Sequence, residues 1–141
     1  MTAQYGGSSI GQQAQEPTNI LIASADEMQF KRIIPGIARD YDVRWAKSGW
    51  EAATYLETSL FDLALIDAEL PGLSGFDVIK RMGRGLAVDT PVILMHGAQD
   101  RDRAAGLKGS CQVADCLQRP CPDIDVLRFV WAYCDKKQER L

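Results

Sequence analysis

The stretch FDLALIDAELPGLSGFDVIKRM, residues 61–82, decides how the whole chain is read. Residues 61–66 are apolar nearly throughout, over a length that suits a strand buried on both faces. The run ends in a lone carboxylate, Asp67. Pro71-Gly72 marks a turn, and SGFDVIKRM reads as a helix capped by Ser74. A strand is thus expected to deliver an acid to the rim of a sheet.

The same alternation recurs on both sides. NILIAS (19–24) reads as a short β-branched strand. In the next segment Met28, Phe30, Ile33, Ile34 and Ile37 lie close to helical spacing, with a kink or early stop expected at Pro35-Gly36. YDVRWA (41–46) is a second strand, and SGWEAATYLET (48–58) is a helix with Ser48 as its N-cap. PVILMH (91–96) and ADCLQR (114–119) supply strands four and five, separated by the short helix DRDRAAGLKG. After Pro120, DIDVLRFVWAYCDKK forms a final amphipathic helix, in which Phe129, Val130, Trp131 and Tyr133 cover more than one face.

Apolar strands alternating with helices imply an α/β domain, one parallel sheet covered on both sides. Right-handed crossovers leave few topologies for it. Functional groups in such sheets gather beyond the carboxyl ends of the strands. Here those ends carry Ser24, Ala25 and Asp26, then Asp67, His96 and Arg119.

Length and composition set the outer limits. With 141 residues and 46% apolar content, the chain reads as one domain with a real core. A formal charge of −3 argues against nucleic acid or an anionic membrane as partner. No apolar run approaches the roughly 20 residues of a membrane span, and no signal peptide is visible. Cys111, Cys116, Cys121 and Cys134 lack C-x-x-C spacing, so free thiols in a reducing cytoplasm are expected. Residues 1–17, rich in Gly, Ser and Gln, read as a disordered tail, 18–136 as the folded domain, and 137–141 as a charged end.

LIDAELPGLSGFDVI, PVILMH and the Arg119-Pro120 step resemble the receiver domains of bacterial two-component response regulators, over about 18–136. The resemblance implies a flavodoxin-like three-layer sandwich, doubly wound, with five parallel strands in the order 2-1-3-4-5. It implies a protein partner: a histidine kinase, a phosphotransfer protein or a downstream effector. It also implies a homodimer through the face of the fourth helix, fifth strand and fifth helix. Asp67 matches the phosphoacceptor. The acidic pair that holds Mg²⁺ in the family is matched by Ser24 and Ala25, the Thr or Ser position by His96, the Lys position by Arg119, and the switch aromatic by Cys116.

These departures change the expected chemistry. Phosphoryl transfer onto a carboxylate depends on charge neutralisation, largely by the metal. Ser24 is a weak ligand and Ala25 offers none, so weak or no Mg²⁺ binding is expected; Asp26 and Glu69 are the substitutes at hand. Arg119 is free to pair with Asp67 directly, while His96 either adds a hydrogen bond there or serves a structural role under its loop. The expectation is an atypical, non-enzymatic receiver acting through protein contacts. The alternatives are a working phosphoacceptor with a rearranged metal site, and a small flavodoxin-like enzyme or nucleotide binder. Against the last, the turn ASADEM lacks a Gly-rich phosphate cradle, and the glycines of GRG (83–85) follow a helix.

Overall fold

The computed structural model describes residues 18–139 except residue 111. Five strands run β1 (Asn19–Ala23), β2 (Asp42–Ala46), β3 (Leu63–Asp67), β4 (Val92–His96) and β5 (Val113–Gln118). All pairings are parallel, in the order β2-β1-β3-β4-β5. The helices are α1 (Glu27–Ile37), α2 (Gly49–Thr58), α3 (Gly75–Met82), α4 (Arg101–Leu107) and α5 (Asp123–Glu139), with a 3-10 turn at Ala98–Asp100 before α4. The expected doubly wound, flavodoxin-like sandwich is therefore the fold.

Strand alternation divides the core. Leu21, Ala23, Ala64, Ile66, Val92 and Leu94 face a cluster with α2, α3 and Ala104 of α4. Ile20, Ile22, Leu63, Leu65, Ile93 and Met95 face another with Phe30, Ile33 and Ile37 of α1 and Val126, Val130 and Cys134 of α5. β3 and β4 are buried at every position, which explains their near-continuous apolar sequence.

Helix starts follow the sequence closely. The Ser48 and Ser74 hydroxyls accept from the N–H groups of Glu51 and Asp77 at 3.1 and 3.2 Å. The helix stops close to Pro35-Gly36, one residue beyond the pair: α1 carries both residues and ends at Ile37, where the N–H of Ala38 caps Ile34. Proline removes one donor, and the carbonyl it would have served, that of Lys31, belongs to an exposed turn open to water. A difference concerns the buried face of α1. Met28 is 79% exposed, whereas Gln29 is buried.

α5 runs on to Glu139, so residues 137–139, set apart above as a charged end, belong to the helix. The expected N-terminal tail, residues 140–141 and Cys111 lie outside the described residues. Cys116 and Cys121 are free thiols. Among the described residues no helix is long and apolar enough to cross a membrane.

Candidate functional site

Asp67 ends β3 with only 7% of its surface exposed. Its position is fixed by the turn that follows. A Cβ on Gly75 would lie 2.1 Å from the Asp67 carbonyl oxygen, so only glycine lets α3 start this close to the strand end. Gly72, at φ +81°, makes the turn, and the Trp50 ring lies against it.

The Asp67 carboxylate accepts from the Ser24 hydroxyl at 3.1 Å and pairs with Arg119 Nη1 at 3.3 Å. The backbone N–H of Glu69 also bonds to it. Burial raises its pKa above the ordinary value, against the opposing pull of Arg119, Ser24 and that N–H. Ser24 is held from two sides: its N–H donates to Ala46, and its carbonyl accepts the Trp45 indole N–H at 3.0 Å.

Arg119 organises the remainder. Its Nη2 binds the carboxylate of Asp26 and donates to Gln29 Oε1 at 3.3 Å. Nη1, besides meeting Asp67, lies 3.7 Å from Met95 Sδ. The Arg119 backbone N–H donates to the His96 carbonyl at 2.7 Å, which seats the residue at the sheet rim. The Arg119-Pro120 peptide is cis. One guanidinium therefore stands between two carboxylates, an arrangement its planar fork permits and a lysine's single ammonium does not.

The other residues singled out in the sequence sit as follows. Asp26 is the N-cap of α1, accepting from the Gln29 N–H at 3.2 Å, and its own N–H donates to Ser24 Oγ at 3.0 Å. Ala25 is exposed and brings no polar side-chain atom. Glu69 is exposed and accepts from Gln99 Nε2 at 2.8 Å. His96 is buried, and its Nδ1 donates to the Gly97 carbonyl at 2.9 Å; no hydrogen bond joins it to Asp67. Its hydrogen bond runs to the loop that follows β4. Cys116, at the switch-aromatic position, directs its thiol to the Ala104 carbonyl at 3.4 Å, and burial pushes that thiol's pKa up.

These groups do not fit Mg²⁺. The ion asks for an octahedral set of oxygen ligands, with one or two carboxylates released to it. Ser24 Oγ already serves Asp67 and the Asp26 N–H, Ala25 has nothing to give, the carboxylates of Asp26 and Asp67 hold Arg119, and that of Glu69 takes the Gln99 amide. Among the described residues no three His, Cys, Asp or Glu side chains gather as a metal cluster.

Sequence reasoning missed Gln29 and Trp45. A signal for Gln29 was present: it shares the i, i+4, i+8 row with Ile33 and Ile37, so a polar side chain was bound to face the core. Trp45 gave no comparable signal, because an aromatic in an edge strand is ordinary.

Comparison with known proteins places the fold and this site in context. The family model described as "Response regulator receiver domain" matches residues 20–130. The response regulator protein PmrA of Pseudomonas aeruginosa is 36% identical over 112 residues, covering 77% of this chain and 48% of that protein. The chain thus spans about half the length of that relative. Among solved structures, a CheY-like receiver domain protein from Methanospirillum hungatei superposes with a TM-score of 0.72 at 18% identity, covering 89% of this chain and all of that one (100%). The receiver domain of a sensor histidine kinase from Pseudomonas aeruginosa gives 0.68 at 19% identity, covering 84% and 98%. From the span of the family match and the shared fold, the chain belongs to the response regulator receiver domain family.

Proposed function

We propose that this receiver domain is atypical. It acts in two-component signalling by binding another protein in a fixed shape, without Mg²⁺-dependent phosphorylation of Asp67. The observation that carries this reading is Arg119 spanning Asp26 and Asp67, with the Ser24 hydroxyl on the same carboxylate. A guanidinium supplies the positive charge that a metal supplies in other receivers, so the acid is neutralised without metal or phosphate. The switch positions point the same way. His96 and Cys116 bond to Gly97 and Ala104 of their own neighbourhood, and neither offers the hydroxyl or the rotating ring that a phosphate-driven switch uses.

The partner is a protein such as a histidine kinase, a phosphotransfer protein or a downstream effector, and the domain is not itself an enzyme. Its place is the cytoplasm, in line with its free thiols. A homodimer through α4, β5 and α5 belongs to the same reading; Phe129 of α5 lies beside Leu117 of β5 on that face. The experiment is a binding comparison. In a pull-down from cell extract, Asp67→Asn is expected to retain the partner captured by the unmodified chain. Loss of that partner, with the fold intact by circular dichroism, moves the working-phosphoacceptor reading ahead.

A further inference from the structure

Gln29 is a polar side chain in a core row. It is 6% exposed and sits among Phe30, Ile33 and Ile37, where leucine would suit the helix period. Burying a carboxamide is tolerated only when its groups are bonded. Here they are: Oε1 accepts from Arg119 Nη2 at 3.3 Å, while Nε2 donates to the Cys121 carbonyl and to Asp123 Oδ1, each at 3.0 Å. The amide has one workable orientation. Turned over, its NH₂ would face the Arg119 donors and its oxygen would face a carbonyl and a carboxylate.

Asp123 opens α5 and holds Arg32 of α1 through two bonds, Nε to Oδ2 and Nη2 to Oδ1, both 2.9 Å. An unbroken polar chain therefore runs from Asp67 through Arg119, Gln29 and Asp123 to Arg32. It surfaces at Arg32, whose Nη1 donates to the Met28 carbonyl at 3.1 Å; Met28 is 79% exposed, and Ile124, next to Asp123 in the chain, is 42% exposed. Towards α4 no chain of side chains leaves Arg119: Glu69, whose N–H meets Asp67, accepts from Gln99 of the 3-10 turn. His96 bonds to Gly97, Cys116 to Ala104, and Arg103 stacks on Phe76 at 3.7 Å.

We infer that Gln29 is a positioning residue that couples the Asp67–Arg119 pair to the surface formed by α1 and the first turn of α5. That surface, carrying Met28, Arg32 and Ile124, is tied to the Asp67–Arg119 pair more closely than the face of α4, β5 and α5 is. The inference rests on the preceding reading in one respect, that Arg119 is the resting partner of Asp67. Coupling is reciprocal, so a partner drawing Arg32 away from Asp123 alters how Arg119 holds Asp67.

The test compares amide shifts in the full 141-residue chain. Asp67→Asn is made alone and combined with Gln29→Leu or with Gln29→Asn, whose amide is one methylene short of both neighbours. Alone, Asp67→Asn is expected to shift the amides of Asp123, Ile124 and Asp125. In either Gln29 background that response falls about fivefold or more, while the response at Ser24, which touches Asp67 directly, persists. If Gln29→Leu fails to fold, the Gln29→Asn pair decides alone. An undiminished response at Asp123 to Asp125 in the Gln29 backgrounds overturns the inference, as does a larger response at Ala104 and Cys116 in the unmodified background. Phosphoryl transfer to Asp67 would defeat the fixed-shape reading separately, because these shifts are read in unphosphorylated protein.

Discussion

Arg119 meets Asp67 at 3.3 Å in a pocket of the sheet rim where Asp67 is almost fully buried. The pair gives the buried carboxylate a counter-charge from within the chain. Burial disfavours its charge, and the guanidinium and the Ser24 hydroxyl partly restore the balance.

Removing the cation should therefore be costly. Arg119→Ala leaves Asp67 and Asp26 facing each other with no counter-charge, and is expected to lower stability by roughly 2–4 kcal/mol in urea unfolding. Arg119→Lys should fall in between, since one ammonium cannot serve Asp26, Asp67 and Gln29 together. Equal stability of the alanine variant and the parent would show that the ion pair contributes nothing.

The approach of α3 to β3 gives a steric prediction. Gly75→Ala places a methyl 2.1 Å from the Asp67 carbonyl oxygen and 2.9 Å from the Ala68 Cα, both backbone atoms that cannot step aside. Destabilisation of about 3 kcal/mol or more is expected, with shifted amides at Asp67 and Ala68. A variant as stable as the parent would mean the turn is looser than described.

Two carboxylates make opposite contributions to acid stability. Arg32 and Gln29 hold Asp123 down at about 2 from its ordinary 3.8. Its contribution is present above the ordinary value and is lost as pH falls towards about 2. Asp67 is raised by burial, so its contribution is full below its unfolded value and is lost as pH rises through its native one. Asp123→Asn should flatten the fall in unfolding midpoint between about pH 4 and about pH 2, and Asp67→Asn should remove the loss on the rising side. Profiles of both variants parallel to that of the parent would contradict these assignments.

How much of this was legible beforehand differs between fold and site. The near-continuous apolar runs of β1, β3 and β4 and the serine caps at Ser48 and Ser74 carry local signals, so element order could be read from them. Arg119 beside Asp67 was also within reach, since both lie at strand ends. The network beyond them was not. Asp26 stands out in the sequence only as a substitute carboxylate, and in the structure it is a helix cap and also an ion-pair partner. Gln29 to Asp123 joins residues 94 apart in sequence, and no local pattern encodes such a contact. Met28 fitted the helical period yet lies outward, because the polar network claims the place beside it.

Restoring the acids should create what the site lacks. Ser24→Asp with Ala25→Asp adds two carboxylates beside Asp67, and Mg²⁺ affinity is expected to rise by roughly tenfold or more. Without metal the double variant should be less stable than the parent, and millimolar Mg²⁺ should recover part of the loss by binding only the folded chain. No gain in affinity would place the obstacle in Arg119.

The most direct measurement is a Mg²⁺ titration of the unmodified protein, following the amide shifts of Ser24, Asp26, Asp67 and Glu69. A like charge at 4 Å opposes a cation by about 4 kcal/mol at an effective dielectric near 20, roughly a thousandfold in affinity. With Arg119 in the cation's place, no saturable shift is expected up to about 10 mM metal. Saturable shifts at sub-millimolar Mg²⁺ would mean that Asp26 or Glu69 has taken over as ligand, and the metal-independent account would be wrong.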